Sequence, residues 1–299
     1  MALKTVIIPP EAEGMKTGLF LRRLFPDLPE SAVRKLFDAR DVRLDGVRVR
    51  KDEPVRAGQE LRVFLPDGDG NAASLRIVYE DDDVLLVNKP AGVSVESDVQ
   101  GAVSLSELCR LHVQAASPSA VPPSPCHRLD NKTSGLCLFA KNEHALAVLE
   151  EAFRDRTVEK YYVCLVRGIP KPPEAVCRAF LLKDAEKGKV RILDREVPGA
   201  RPVITGYETL ESGPVSRLRV HLITGRTHQI RAHLAALGHP ILGDPKYGDP
   251  AFNRKYGQIT QCLAACRLEF PEDCALPALS GRVFEMEAPK EWPLGTAGD

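Results

Sequence analysis

The densest chemistry in this chain lies in His127-Arg128-Leu129-Asp130-Asn131-Lys132-Thr133-Ser134-Gly135-Leu136. An acid follows a base by two residues. Alternate positions of an extended chain point the same way, so Arg128 and Asp130 can share one face of a loop or strand end. Thr133-Ser134-Gly135 supplies turn chemistry, with Gly135 free to take a positive φ. A carboxylate fixed beside a guanidinium at a strand entrance can be a structural ion pair in a turn. For a lone Arg-x-Asp that is the usual role; the sharper one is an anion held ready to attack an electrophilic carbon, to take a proton, or to stabilise developing positive charge.

Positioning such a group requires rigid elements on either side, and the pattern supplies them. Leu136 to Lys141 reads as a strand, and Asn142 caps a helix with Leu146, Leu149 and Phe153 on one face. Upstream, the strands Leu75 to Glu80 and Val84 to Val87 flank the acidic turn Asp81-Asp82-Asp83. Downstream, Tyr161 to Val166 and Arg217 to Ile223 are further strands. Thr227 to Leu237 is a helix with Ile230, Leu234 and Leu237 inward, Arg231 on another flank, and Gly238 as its stop. The proline-rich run Ser117 to Pro125 reads as a variable loop ahead of the central string.

The N-terminal third has its own organisation. Met1 to Pro10 reads as a first strand or an ordered tail, followed by a helical segment with Leu19, Leu21 and Leu24 that ends at Phe25-Pro26. A second helix opens at Pro29-Glu30-Ser31, with Val33, Leu36 and Phe37 at helical spacing. Asp45-Gly46 between Val42-Arg43-Leu44 and Val47-Arg48-Val49 signals a two-residue hairpin, and Gln59 to Leu65 alternates as a strand. Residues 67–74 have linker composition. We find no internal repeat and no glycine-rich nucleotide loop.

With 299 residues, 43% hydrophobic and 27% charged, the composition is that of an ordinary globular protein. No apolar run is long enough to cross a membrane, and the N-terminus lacks the form of a secretory signal, which implies the cytoplasm. The eight cysteines read as reduced and mostly buried. Cys262 and Cys266 could share a helix face, yet no second pair completes a metal tetrad, so no metal is expected. The formal net charge of zero argues only against strong nonspecific attraction to phosphate. Locally, Lys16 to Leu65 holds twelve Lys/Arg against eight Asp/Glu, with Arg22, Arg23, Arg34, Lys35, Arg40, Arg43, Arg48, Arg50 and Lys51 expected to face solvent.

Four stretches in order carry a resemblance. The central string resembles the signature of the RluA family of pseudouridine synthases. So do Val87-Asn88-Lys89-Pro90-Ala91-Gly92, Lys160-Tyr161-Tyr162-Val163-Cys164-Leu165-Val166, and Gly225-Arg226-Thr227-His228-Gln229-Ile230-Arg231-Ala232-His233 with its continuation through Gly238-His239-Pro240 to Tyr247-Gly248. The resemblance covers roughly residues 75 to 290. It implies an α+β catalytic domain built on a long, mostly antiparallel mixed sheet with flanking helices. It also implies isomerisation of uridine to pseudouridine in RNA, which oxidises, reduces and phosphorylates nothing and needs no cofactor.

By the same resemblance Asp130 is the catalytic carboxylate, by nucleophilic attack or by proton abstraction from the sugar. Arg231 pairs with it, and Tyr162 stacks on uracil or receives the proton lost from carbon 5. Arg128 fills the space of a flipped nucleotide. Lys89, with the turn that follows it, supports the site and stands with Thr133 and Arg226 among the substrate contacts. His127, His228 and His233 read as hydrogen-bonding scaffold. Asn131-Lys132 departs from the arginine many relatives carry after the aspartate, at a loosely specified position.

The order helix, helix, hairpin, strand resembles the S-four RNA-binding domain, which implies RNA contacts from Arg22, Arg23, Arg34, Lys35 and Arg43. The expected layout is an RNA-binding domain over residues 1–66, a linker over 67–74 and the catalytic domain over 75–299. The expected partner is ribosomal RNA of the large subunit, or alternatively transfer RNA, acted on by a monomer without membrane or nucleotide cofactor. A noncatalytic RNA-binding protein that retains the fold is the alternative of a different class.

Overall fold

The computed structural model describes residues 2–25, 30–49, 52–65, 75–96, 104–184, 188–290 and 292–293. The chain forms two compact units, one of residues 1–76 with 92–122, the other of 77–91 with 123–299. A single cut near residue 70 does not anticipate this, because 92–122 group with the N-terminal unit. Residues 66–74, which include the expected linker, lie outside the described residues.

In the first unit, strand β1 (Ala2–Ile7) is followed by helices α1 (Thr17–Leu24) and α2 (Glu30–Asp38). Strands β2 (Val42–Leu44), β3 (Val47–Arg48) and β4 (Glu60–Leu65) complete a sheet of order β1-β4-β2-β3. Asp45 and Gly46 both take positive φ, 48° and 80°, the primed turn that an Asp-Gly hairpin favours. Phe20, Leu21 and Leu24 of α1, Val33 and Leu36 of α2, and Val42, Leu44, Leu61 and Val63 of the strands share one core. Helix α3 (Leu105–Ala116) also belongs to this unit, with Ser104 Oγ accepting from the Glu107 amide as its N-cap.

Of the basic side chains expected to face solvent, Arg22, Arg34, Lys35, Arg40 and Arg48 are exposed. Arg23 and Arg43 are half-buried instead: Arg23 Nη1 donates to Met15 Sδ at 3.3 Å, and the Arg43 guanidinium lies over the Phe64 ring at 5.3 Å. Their long stems cover apolar surface, which costs less than holding them in water. Arg50 and Lys51 lie outside the described residues.

The second unit is the expected long sheet. Its strands are β5 (Arg76–Glu80), β6 (Val84–Lys89), β7 (Ser124–Pro125), β8 (Ser134–Ala140), β9 (Glu159–Arg167), β10 (Glu174–Asp184), β11 (Lys189–Leu193), β12 (Arg201–Glu211), β13 (Val215–His221), β14 (Leu263–Glu269) and β15 (Val283–Glu285). The spatial order is β11-β10-β12-β13-β9-β14-β8-β6-β5, with β15 on β14 and β7 on β8. Among the described residues β14 and β8 pair parallel, and the other pairings with a defined register are antiparallel. Helix α4 (Glu143–Asp155) follows β8 with Asn142 Oδ1 accepting from Ala145 N, the expected cap. Helices α5 (Gln229–Ala236) and α6 (Pro250–Lys255) follow β13.

Two expectations need correction. Cys262 and Cys266 sit at and within strand β14, not on a helix, because that segment is buried between neighbouring strands. Leu237 is exposed rather than inward, since α5 ends at Ala236 and Leu237 already belongs to its cap. None of the eight cysteines is disulfide-bonded. Among the described residues no helix is long and apolar enough to cross a membrane.

Candidate active site

One row of the sheet organises the site. Lys89 of β6 faces Gly135 of β8, Gly135 faces Ala265 of β14, and Ala265 faces Tyr162 of β9. Residues opposite one another share a face, so the row runs from a long side chain through none and a methyl to an aromatic ring. Gly135 has φ +108°, and a Cβ there would lie 2.1 Å from the Ala265 carbonyl oxygen, so only glycine lets β8 approach β14. The loop carrying Asp130 enters β8 immediately before this point.

Three side chains fix that loop. His127 Nε2 accepts from the Leu138 amide at 3.2 Å while its ring packs on Phe153 at 4.8 Å. Lys89 is 0% exposed, and its Nζ donates to the carbonyls of Asn131 (2.9 Å) and Pro90 (3.0 Å). Burial pulls the Lys89 pKa down to about 8 against the opposing charge of Asp130. Thr133 is also buried, its Oγ1 accepting from Gln261 Nε2 at 2.7 Å, and its amide closes a turn onto the Asp130 carbonyl at 3.0 Å. Both side chains are buried beneath the loop that carries Asp130, and the Lys89 ammonium is held on backbone carbonyls there.

His127 must be neutral to accept that bond, and burial depresses its pKa to about 4. The unfolded chain, near 6.5, takes up the proton first as pH falls. The stabilisation is complete above pH 6.5 and lost progressively down to about pH 4, on the order of 3 kcal/mol in all. His127→Gln, which keeps an acceptor but does not titrate, is expected to flatten that part of the stability–pH curve in urea titrations. An unchanged slope would rule out His127 as its source.

Arg231 of α5 is 5% exposed at its side chain and bridges two carboxylates. Nη1 donates to Asp130 Oδ2 at 2.7 Å, while Nε and Nη2 grip Asp244 at 2.7 and 3.0 Å in a bidentate pair. Burial alone would raise the Asp244 pKa. The Arg231 hydrogen bonds and charge, with the amides of Tyr247 and Lys246, hold it below the ordinary carboxylate range. The Asp130 side chain is 24% exposed, and its Oδ1 takes no hydrogen bond from the described residues. Arg231 thus pairs with Asp130 through one oxygen and leaves the other unengaged by the described residues.

Tyr162 is buried, and burial with the nearby Asp130 charge pushes its pKa up, so it stays protonated throughout the physiological range. Its hydroxyl makes no hydrogen bond among the described residues. Arg128 and Arg226 are both exposed, Arg128 on the loop two residues before Asp130 and Arg226 at the approach to α5. The structure thus brings Asp130, Arg231 and Tyr162 together, with Lys89 and Thr133 beneath.

Sequence reasoning missed Asp244 and Tyr247. Tyr247 lies under the Arg231 guanidinium at 5.3 Å, and its hydroxyl meets His228 Nδ1 at 3.0 Å. The signal is present in Gly243-Asp244-Pro245-Lys246-Tyr247-Gly248, a run of turn formers around one acid and one aromatic.

A buried arginine that fixes one oxygen of a half-open aspartate suits substitution or elimination at a sugar carbon. The sequence model described as RNA pseudouridylate synthase matches residues 83–236, which hold Asp130, Tyr162 and Arg231. The chain belongs to the RNA pseudouridylate synthase family. Ribosomal large subunit pseudouridine synthase C of Vibrio vulnificus is 35% identical over 286 residues, covering 90% of this chain and 88% of that protein. The Escherichia coli K12 protein of the same name is 32% identical over 307 residues, 97% of this chain and 94% of that one. Among solved structures, human RNA pseudouridylate synthase domain containing 4 superposes with a TM-score of 0.60 at 26% identity, covering 72% of this chain and 89% of that one. The activity is that of a pseudouridine synthase, an isomerase acting on uridine in RNA. In this family's reaction the bond from C1′ to N1 breaks, the uracil turns, C5 joins C1′, and the C5 proton leaves.

Proposed function

We propose that the protein isomerises uridine in large-subunit ribosomal RNA, with Asp130 as the reacting carboxylate, Arg231 as its counter-ion and Tyr162 as the platform for uracil. The observation that carries this reading is the 2.7 Å bond from Arg231 to one oxygen of Asp130 while the other is left unengaged. Arg128, exposed beside Asp130, fills the gap left by the extruded nucleotide and offsets the few kcal/mol of lost stacking. Arg226 takes a backbone phosphate. The target class rests on relatives that carry the large-subunit name and align along nearly the whole chain. The enzyme works as a cytoplasmic monomer without membrane or nucleotide cofactor.

The test is tritium release from RNA carrying uridine labelled at carbon 5. Release from large-subunit ribosomal transcripts and none from transfer RNA is the expected result; the reverse pattern would replace the proposed target.

The N-terminal segment, residues 1–66, acts as an S-four-type RNA-binding domain ahead of the catalytic unit that carries Asp130, Tyr162 and Arg231. This reading is supported by the element order α1, α2, hairpin β2–β3, β4 and by the exposed basic side chains Arg22, Arg34 and Lys35. Reversing two exposed charges, Arg34→Glu with Lys35→Glu, is expected to raise KM for RNA about tenfold. The salt dependence of binding should become shallower, by about one unit of slope for each phosphate those side chains neutralise. The kcat should be unchanged. A loss confined to kcat would exclude the proposed RNA interaction.

A further inference from the structure

His228 stands out in three ways. It precedes α5 with φ 56°, a left-handed conformation that is strained for a side-chain-bearing residue. Its Nδ1 lies 3.0 Å from the Tyr247 hydroxyl, and its Nε2 lies 4.0 Å from Asp130 Oδ2. That second distance is too long for a hydrogen bond between them. Among the described residues Nε2 has no hydrogen-bond partner, and the side chain is 14% exposed beside Asp130, which leaves it able to meet a group bound there.

The partners of Tyr247 fix the tautomer. Tyr247 Oη already accepts the Val190 amide of β11 at 2.8 Å. Among the described residues, the acceptor left for the phenol's own proton is His228 Nδ1. With Nδ1 accepting, the ring proton of the neutral imidazole is on Nε2, facing the reaction space.

We propose that His228 is a further catalytic residue, whose neutral Nε2–H donates to a carbonyl oxygen of the uracil as it detaches from the ribose. This rests on the assignment of Asp130 as the reacting carboxylate. Whether Asp130 bonds to C1′ or removes the C2′ proton, the electron pair of the C1′–N1 bond passes to N1 and spreads onto the uracil oxygens. A fixed donor there stabilises the anion without giving up its proton. The anion is consumed when C5 bonds to C1′. That step displaces the Asp130 carboxylate from C1′, or adds across the glycal double bond as Asp130 returns the C2′ proton. The C5 proton then leaves and N1 takes up a proton. Preorganised donors of this kind contribute where charge develops, and a neutral imidazole is suited to hydrogen-bond donation rather than proton transfer.

The charged and titratable groups around His228 are Asp130, Arg231, Lys246, Asp244 and Tyr247, with Lys189 of β11 over the Tyr247 ring. Burial, ahead of the opposing Asp130 charge, holds the imidazole below its usual pKa, consistent with a donor that is neutral at working pH.

The decisive measurement is single-turnover isomerisation at saturating RNA. His228→Phe is expected to slow the step about 100-fold with RNA affinity within a factor of about two. His228→Gln, which keeps an N–H near the same place, should recover about tenfold of that loss. Tyr247→Phe, which frees the tautomer, should fall between them. The wild-type rate should be flat between about pH 6 and 8. A His228→Phe rate equal to wild type, a loss residing wholly in RNA affinity, or a wild-type rate that falls as the imidazole loses its proton would each overturn the proposal. Nitrogen NMR of the ligand-free protein gives a readout independent of activity and of variant folding: protonated Nε2 and bare Nδ1 are expected, and the opposite tautomer would sink the idea. If Asp130→Asn retains activity, the underlying assignment fails. If that variant is dead while the His228 variants are unimpaired, only this inference fails.

Discussion

Asp130→Asn is expected to abolish tritium release, by at least about 10⁴-fold, while leaving the fold intact. The amide has the shape of the carboxylate and can still accept from Arg231 Nη1, but it can neither attack a sugar carbon nor take a proton. Fold and function separate here because Arg231 does not depend on Asp130 for its position. Its bidentate partner is Asp244, which is fully buried, whereas Asp130 is partly open to solvent. The change should therefore shift stability by no more than about 1 kcal/mol. Tritium release and thermal unfolding on the same preparation check both halves. Release at the parental rate would remove Asp130 from the chemistry.

Asp244→Ala is expected to damage both properties. It strands a buried guanidinium and removes the acceptor of the Lys246 and Tyr247 amides. Breaking one side of a buried ion pair costs about 3–5 kcal/mol, because the surviving charge is left uncompensated. Activity should fall at least about 100-fold as Arg231 loses its fixed orientation against Asp130. The double variant Arg231→Met with Asp244→Leu separates the two effects. Replacing both charges by apolar groups is expected to restore the stability lost to the unpaired guanidinium, with the Lys246 and Tyr247 amides still lacking their acceptor, and none of the activity. An Asp244→Ala protein that melts within about 2 °C of the parent would show that the pair does not hold this region together.

Much of the site is legible because its residues fall within short runs whose local rules agree with the fold. Asn142 caps α4 as its position before an apolar helix requires, and Gly135 takes the positive φ that a turn into a strand demands. Asp244 is not legible, because an acid among turn-forming residues usually caps a loop, and its partner lies thirteen positions back on a helix. The burial of Lys89 is not legible either, because a lysine after an apolar strand normally reaches solvent, whereas the Asp130 loop encloses this one. Strands β10 and β12 escape a sequence reading: Pro202 and Gly206 interrupt β12, and both strands mix charged with apolar residues out of strict alternation. Strand β14, Leu-Ala-Ala-Cys-Arg-Leu-Glu, carries helix-forming residues and is extended because the neighbouring strands bury it.

That strand has a consequence for when the enzyme comes into being. β14 lies between β8 and β9, yet it is synthesised about a hundred residues after either. A nascent chain that stops short of Leu263 contains Asp130, Tyr162, Arg231 and Asp244 but not the strand that sets β8 and β9 in register. Closing such a long loop is slow, and its entropy must be overcome before the strands pair. Competence arrives late, with the insertion of seven residues into the middle of a sheet, and growing chains emerge from synthesis without a finished active site.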